Sequence, residues 1–148
     1  MSTFTQIYYH IVFSTREREC TLGESGHDDL YRYIWGIIKN RKGHLYRINA
    51  MEDHLHILCD LHPTMNLADL VKEIKGGSSY VIKQKGLFPK FSSWQDGYGA
   101  FTHSAVEKDG LIEYIKGQTE HHQRISYQDE LRQLLIEAGV EFEEKYLV

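Results

Sequence analysis

Several things are scarce in this sequence, and each scarcity removes a class of protein. No apolar run approaches the ~18 residues that a bilayer-spanning helix requires. The first residues, Met1-Ser2-Thr3-Phe4-Thr5, lack a basic segment and the apolar core of an export signal. There are two cysteines, Cys20 in a polar loop and Cys59 in an apolar strand, which argues against a structural disulfide and makes a reducing cytoplasm the expected setting. Without a Cys-x-x-Cys pair, zinc ribbons and fingers are excluded. No repeat, low-complexity stretch or linker rich in proline, glycine and serine interrupts the chain, so its 148 residues are expected to form one domain. The core is expected at about residues 5–125, with a C-terminal helix and tail at 126–148.

An excess of positive charge is also missing, since the formal net charge is −4. Its distribution is uneven. Residues 1–100 hold twelve Lys and Arg against eleven Asp and Glu, whereas residues 101–148 hold five against ten. From Lys72 to Lys90 there are five lysines and one acid, Glu73. That stripe suits a phosphate contact and equally suits a solvated helix face, so it decides nothing alone.

What is present falls into alternating elements. Thr5 to Thr15 predicts a strand with Ile7, Tyr9, Ile11 and Phe13 on one face and Tyr8, His10 and Val12 on the other. The spacing of Leu30, Ile34, Ile37 and Ile38 predicts a helix over Asp28 to Arg41, ended by Gly43. Strands over His44 to Met51 and His54 to Leu61 are joined by a short Glu52-Asp53 turn, which predicts an antiparallel hairpin. Asn66 is a candidate cap for a second helix that Lys85-Gly86 ends. A last strand is expected near Tyr98 to His103, then a helix over Ala105 to Arg124 and another over Tyr127 to Ala138. The order β-α-β-β-α-β is the split βαβ plan of the ferredoxin-like α+β fold: a four-stranded antiparallel sheet, both helices on one face, with C-terminal helices added. In this plan the second sheet face is expected to be free.

His54-Leu55-His56 acquires meaning in that plan. Alternation puts both imidazoles on one face, about 7 Å apart, beside His10 if the strands are neighbours. Two imidazoles can share a cation and leave coordination positions open, as Mg²⁺ or Mn²⁺ holding phosphate oxygens requires. They are equally compatible with two half-buried histidines on a mixed strand. On the helix after Ser104, Tyr114 and Gln118 stand four residues apart and His121 three further on, along one side. A phenol is a poor nucleophile at its ordinary pKa near 10, but its phenolate can attack a phosphodiester polarised by a divalent metal. Gln118 can supply an oxygen ligand.

The sequence resembles the single-tyrosine HUH transposases of the insertion-sequence 200/605 type, including their REP-associated relatives. Tyr9-His10-Ile11-Val12-Phe13, His54-Leu55-His56, Lys75-Gly76 with Ser78-Ser79, Trp94-Gln95-Asp96-Gly97-Tyr98, Tyr114-Ile115-Lys116-Gly117-Gln118 and Glu120-His121-His122 carry the resemblance, in the family's order. It implies that His54, His56 and Gln118 hold the metal. It implies that Tyr114 forms a 5′-phosphotyrosine link to single-stranded DNA and releases a 3′-hydroxyl. A homodimer acting on hairpin ends is also implied. Glu120, His121 and His122 compete with Gln118 as ligand or acid/base. Lys72, Lys75, Trp94 and Tyr98 are candidates for DNA contact. Two other readings stay open: a non-catalytic single-stranded nucleic-acid-binding module that stacks bases on Tyr8, Trp94 and Tyr98, and a small metallohydrolase with no need of Tyr114.

Overall fold

The computed structural model describes residues 3–122 and 125–147, without the side chain of His121. Four strands, β1 (Tyr8–Ser14), β2 (Leu45–Ala50), β3 (His54–Asp60) and β4 (Gly99–His103), form one antiparallel sheet in the order β2-β3-β1-β4. Helices α1 (His27–Asn40) and α2 (Leu67–Lys85) follow β1 and β3. This is the ferredoxin-like α+β fold, with α3 (Lys108–Lys116), a single turn α4 (Gln118–His121) and α5 (Tyr127–Glu137) added after β4.

Local chemistry accounts for the elements. On α1, Leu30, Ile34, Ile37 and Ile38 are buried; on α2, Leu70, Val71, Ile74, Ser78 and Ile82 are. Both stripes recur at three- and four-residue steps. The Asn66 side chain accepts the Asp69 N–H at 3.0 Å and starts α2, and Gly86 ends it in the left-handed region at φ 64°. Within α2, a Cβ at Gly77 would stand 2.7 Å from the Tyr33 hydroxyl, so the glycine admits close approach of α1. The two helices and one sheet face enclose the main core, which includes Ile11, Phe13, Leu55, Ile57 and Cys59.

Two expectations need correction. The second sheet face is not free. On one side α5 packs Tyr127 and Leu131 against Val12 and Phe101, with Leu147 of the tail. On the other side α3 packs Ile115 against Tyr8 and Leu58. Nor is there one helix over Ala105 to Arg124. A short 3₁₀ turn at Ala105–Glu107 leads into α3, and Gly117 then separates α3 from α4. Glycine carries the highest backbone entropy cost in a helix interior, so the chain turns there most readily. Arg124 lies outside the described residues.

Ile57, fully buried at the centre of β3, tests the packing. Replacing it with Ala should destabilise the protein by roughly 2–5 kcal/mol, and with Val by about 1 kcal/mol. Equilibrium urea unfolding reads both.

Candidate active site

Between the two apolar patches on the second sheet face runs a strip of buried polar side chains. His10 from β1 and His54 and His56 from β3 are all fully buried. They share a face because each is an even number of residues from the next along its strand and because Val12 pairs with His56 in the register. The turn at Gly117 carries the chain back over this strip, where Gln118 is buried, and α5 lowers the Glu130 carboxylate into it.

Glu130 sits at the centre. Its Oε1 lies 3.0 Å from His56 Nε2, 2.9 Å from His122 Nε2 and 3.6 Å from His54 Nε2. Its Oε2 accepts the Tyr114 hydroxyl. One donor atom each from His54, His56, His122 and Glu130 lie within 4.8 Å of one another, a set that could hold a metal ion.

Second partners orient the rings. His54 Nδ1 is 2.6 Å from the Asp53 carboxylate, which can only accept when ionised, so Nδ1 carries the proton and Nε2 presents its lone pair. That buried Nε2 has no hydrogen-bond partner. His122 Nδ1 donates to the Ile125 carbonyl at 2.9 Å, which turns its Nε2 to Glu130 Oε1 at 2.9 Å. His56 Nδ1 stands 2.8 Å from His10 Nε2, which fixes the His56 ring plane. Gln118 donates from Nε2 to the Tyr114 carbonyl at 3.3 Å and leaves Oε1 buried without a partner. A buried acceptor without a donor costs about 1–3 kcal/mol. The unpartnered His54 Nε2, the neighbouring imidazoles, a carboxylate and an amide oxygen converging in one strip are therefore what a divalent cation fits.

The electrostatics agree. Burial holds the His54 imidazole down to about 4, against the opposing hydrogen bond to Asp53. Burial, then the neighbouring His56 and His103, lowers His10. Burial, then the hydrogen bond to Glu130, raises the Tyr114 phenol. For Glu130 burial favours the neutral acid, but hydrogen bonds from His122, His56 and Tyr114 outweigh it and keep the carboxyl well below its usual range.

The residues expected from sequence thus divide. His54, His56, Tyr114 and Gln118 converge. Glu120 is exposed and is not one of the four converging donors. The His121 side chain lies outside the described residues. Trp94 is on the other side of the sheet, where its indole N–H donates to Ser78 at 2.9 Å within the main core. That burial removes it from any base-stacking surface. The Lys75 ammonium is engaged with the carbonyls of Gln95 (2.6 Å) and Gly97 (2.8 Å) and braces the segment before β4. Lys72 is exposed, and Tyr98 is 37% exposed. Glu130 was missed. Its signal was an acid three residues after Tyr127 and next to Leu131, on the face of α5 that is otherwise apolar.

The family model for IS200-like transposases matches residues 3–118. Among solved structures, a candidate transposase from Deinococcus radiodurans R1 is 22% identical, with a TM-score of 0.63 over 80% of this chain and 95% of that one. A REP-associated tyrosine transposase bound to a REP hairpin is 15% identical, with a TM-score of 0.63 over 84% of this chain and 76% of that one. At these identities the likeness is one of fold. No protein of curated function matches the chain.

The buried His54 yields a pH test. Its folded pKa of about 4 lies below the unfolded value of about 6.5. The unfolded chain therefore takes up a proton that the folded chain refuses. Stability is highest above pH ~6.5 and falls as pH drops toward 4, by up to about 3 kcal/mol for this group. Denaturant melts in EDTA should show that slope, and His54→Gln should flatten it.

Proposed function

Because the chain belongs to the IS200-like transposase family, we propose that it cleaves and rejoins single-stranded DNA through a 5′-phosphotyrosine link on Tyr114, with a divalent metal held at His54 and His56. One observation carries this reading. The Tyr114 phenol and the buried histidine pair meet at a single carboxylate, Glu130, so a nucleophile and a cation-binding set occupy one place. Mg²⁺ or Mn²⁺ bound there would draw electron density from a phosphodiester and make its phosphorus a better electrophile.

The chain's own residues supply the remainder. Tyr114 is held near the metal-binding nitrogens, its O–H aimed at Glu130 Oε2, which gives the departing proton an acceptor. The phenol oxygen forms a bond to phosphorus as the P–O3′ bond breaks. The 3′-oxygen leaves as a hydroxyl after taking a proton from water, and Glu130 returns its proton to water. Rejoining runs the same steps backward, with a 3′-hydroxyl attacking the phosphotyrosine. The Tyr114 carbonyl accepts from Gln118, and the Ile115 carbonyl accepts from Asn49 on β2 at 2.9 Å. The second bond ties the nucleophile's helix to the sheet, and the first joins that helix to the turn that follows it.

The neighbour bound to a REP hairpin supports hairpin-flanked single strands as substrate. Lys72 and Tyr98 keep exposed surface for that DNA. We read residues 1–148 as one catalytic unit that acts as a homodimer in the cytoplasm. Among the described residues no helix is long and apolar enough to cross a membrane.

Tyr114→Phe removes only the attacking oxygen. With a labelled single strand from the gene's own flanks and Mn²⁺, this variant should lose at least ~10³-fold in cleavage while it melts within a few degrees of wild type. Cleavage at the wild-type rate would refute the nucleophile.

A further inference from the structure

Residues 119–148 lie beyond the stretch matched by the family model, yet they supply two of the four converging donors, His122 and Glu130. We propose that His122 and Glu130 are metal ligands alongside His54 and His56, and that this centre of three imidazoles and one carboxylate takes a first-row transition-metal ion such as Mn²⁺ in preference to Mg²⁺. The inference rests on the reading above that the histidine pair holds a metal.

The geometry argues for it in three steps. First, His54 and His122 each spend Nδ1 on a fixed acceptor, Asp53 and the Ile125 carbonyl, and both turn Nε2 toward Glu130 Oε1. At His54 an imidazole lone pair without a donor faces a carboxylate oxygen, which places two acceptors together, and a cation between them resolves it. Second, all four donors are within 4.8 Å of one another, and three of the four residues, His54, His56 and Glu130, are buried to within 1%. Modest movement would bring each to the ~2 Å of a coordination bond. Third, the donor types select the ion. Mg²⁺ favours oxygen ligands and retains its waters, whereas imidazole nitrogen suits the first-row divalent ions; Mn²⁺ is the weakest binder of that series but still accepts nitrogen more readily than Mg²⁺ does. Six-coordinate Mn²⁺ would keep two positions beyond these four, enough for phosphate oxygens and the nearby Gln118 Oε1 to compete for.

The consequence is structural as well as catalytic. Glu130 is on α5 and His122 on the turn before it, so the ion would fasten the C-terminal helix to β3. Metal affinity and protection of α5 should then rise and fall together.

The test uses the full-length chain stripped with EDTA and titrated calorimetrically with Mn²⁺ or Mg²⁺, with amide exchange of residues 127–137 followed in parallel. The expected result is one Mn²⁺ per chain, Mg²⁺ at least tenfold weaker, and slower exchange in α5 when Mn²⁺ is added. His122→Gln and Glu130→Gln, which keep the size and polarity of the side chains, should each weaken Mn²⁺ at least tenfold. Unchanged affinity in both variants would overturn the ligand assignment, and equal affinity for Mg²⁺ would overturn the selectivity. If either variant fails to fold, the wild-type selectivity and α5 exchange still decide: no change in exchange on Mn²⁺ addition overturns the proposal. A wild type that binds no Mn²⁺, or a His54→Ala/His56→Ala double variant that binds it as wild type does, would instead sink the underlying reading of the histidine pair.

Discussion

A carboxylate taken out of water costs several kcal/mol unless other groups replace its hydration, and the second sheet face is arranged around meeting that requirement for Glu130. Its two oxygens take up His56, His122 and Tyr114, with His54 just beyond hydrogen-bond reach. Four elements must be in place together for this. β3 brings two histidines, α3 the phenol, the turn after α4 the third imidazole, and α5 the acid. Removing any one leaves the others buried and underpaired.

The polar strip is tolerable because it is narrow. Val12, Phe101, Tyr127 and Leu131 close it on the β4 side, and Tyr8, Leu58 and Ile115 on the β2 side. Tyr127 links the two chemistries: its ring stacks on His54 at 4.5 Å between centroids while its edge belongs to the apolar patch. Apolar packing thereby fixes ring positions that the hydrogen bonds alone would leave adjustable. Such preorganisation is what a displacement at phosphorus demands, since attacking and leaving oxygens must be held in line.

Much of this was legible in the sequence, for reasons that can be named. Alternation along β1 and β3 is a local property, so His10, His54 and His56 could be put on one face from spacing alone. The α1 and α2 stripes and the Asn66 and Gly86 caps are equally local. The covering of that face was not legible, because it depends on where α3 and α5 dock, and an apolar stripe on a helix does not say which surface it will meet. The break at Gly117 was hidden by the helical spacing of Tyr114 and Gln118 on either side of it. Trp94 misled for a related reason: an aromatic beside glycines suits base stacking, but its N–H found Ser78 on α2 and its ring found Phe13, 4.9 Å away. Glu130 was overlooked because one acid among leucines reads as the edge of a polar face. Only the fold shows three imidazoles waiting for it.

The most direct measurement is the covalent adduct itself. The protein, a hairpin-flanked single strand from its own gene's borders and Mn²⁺ are incubated, denatured, digested and analysed by mass spectrometry. The account predicts a nucleotide-bearing peptide with the 5′-phosphate on Tyr114. Cleaved DNA with no protein attached, or an adduct on a different residue, would contradict it.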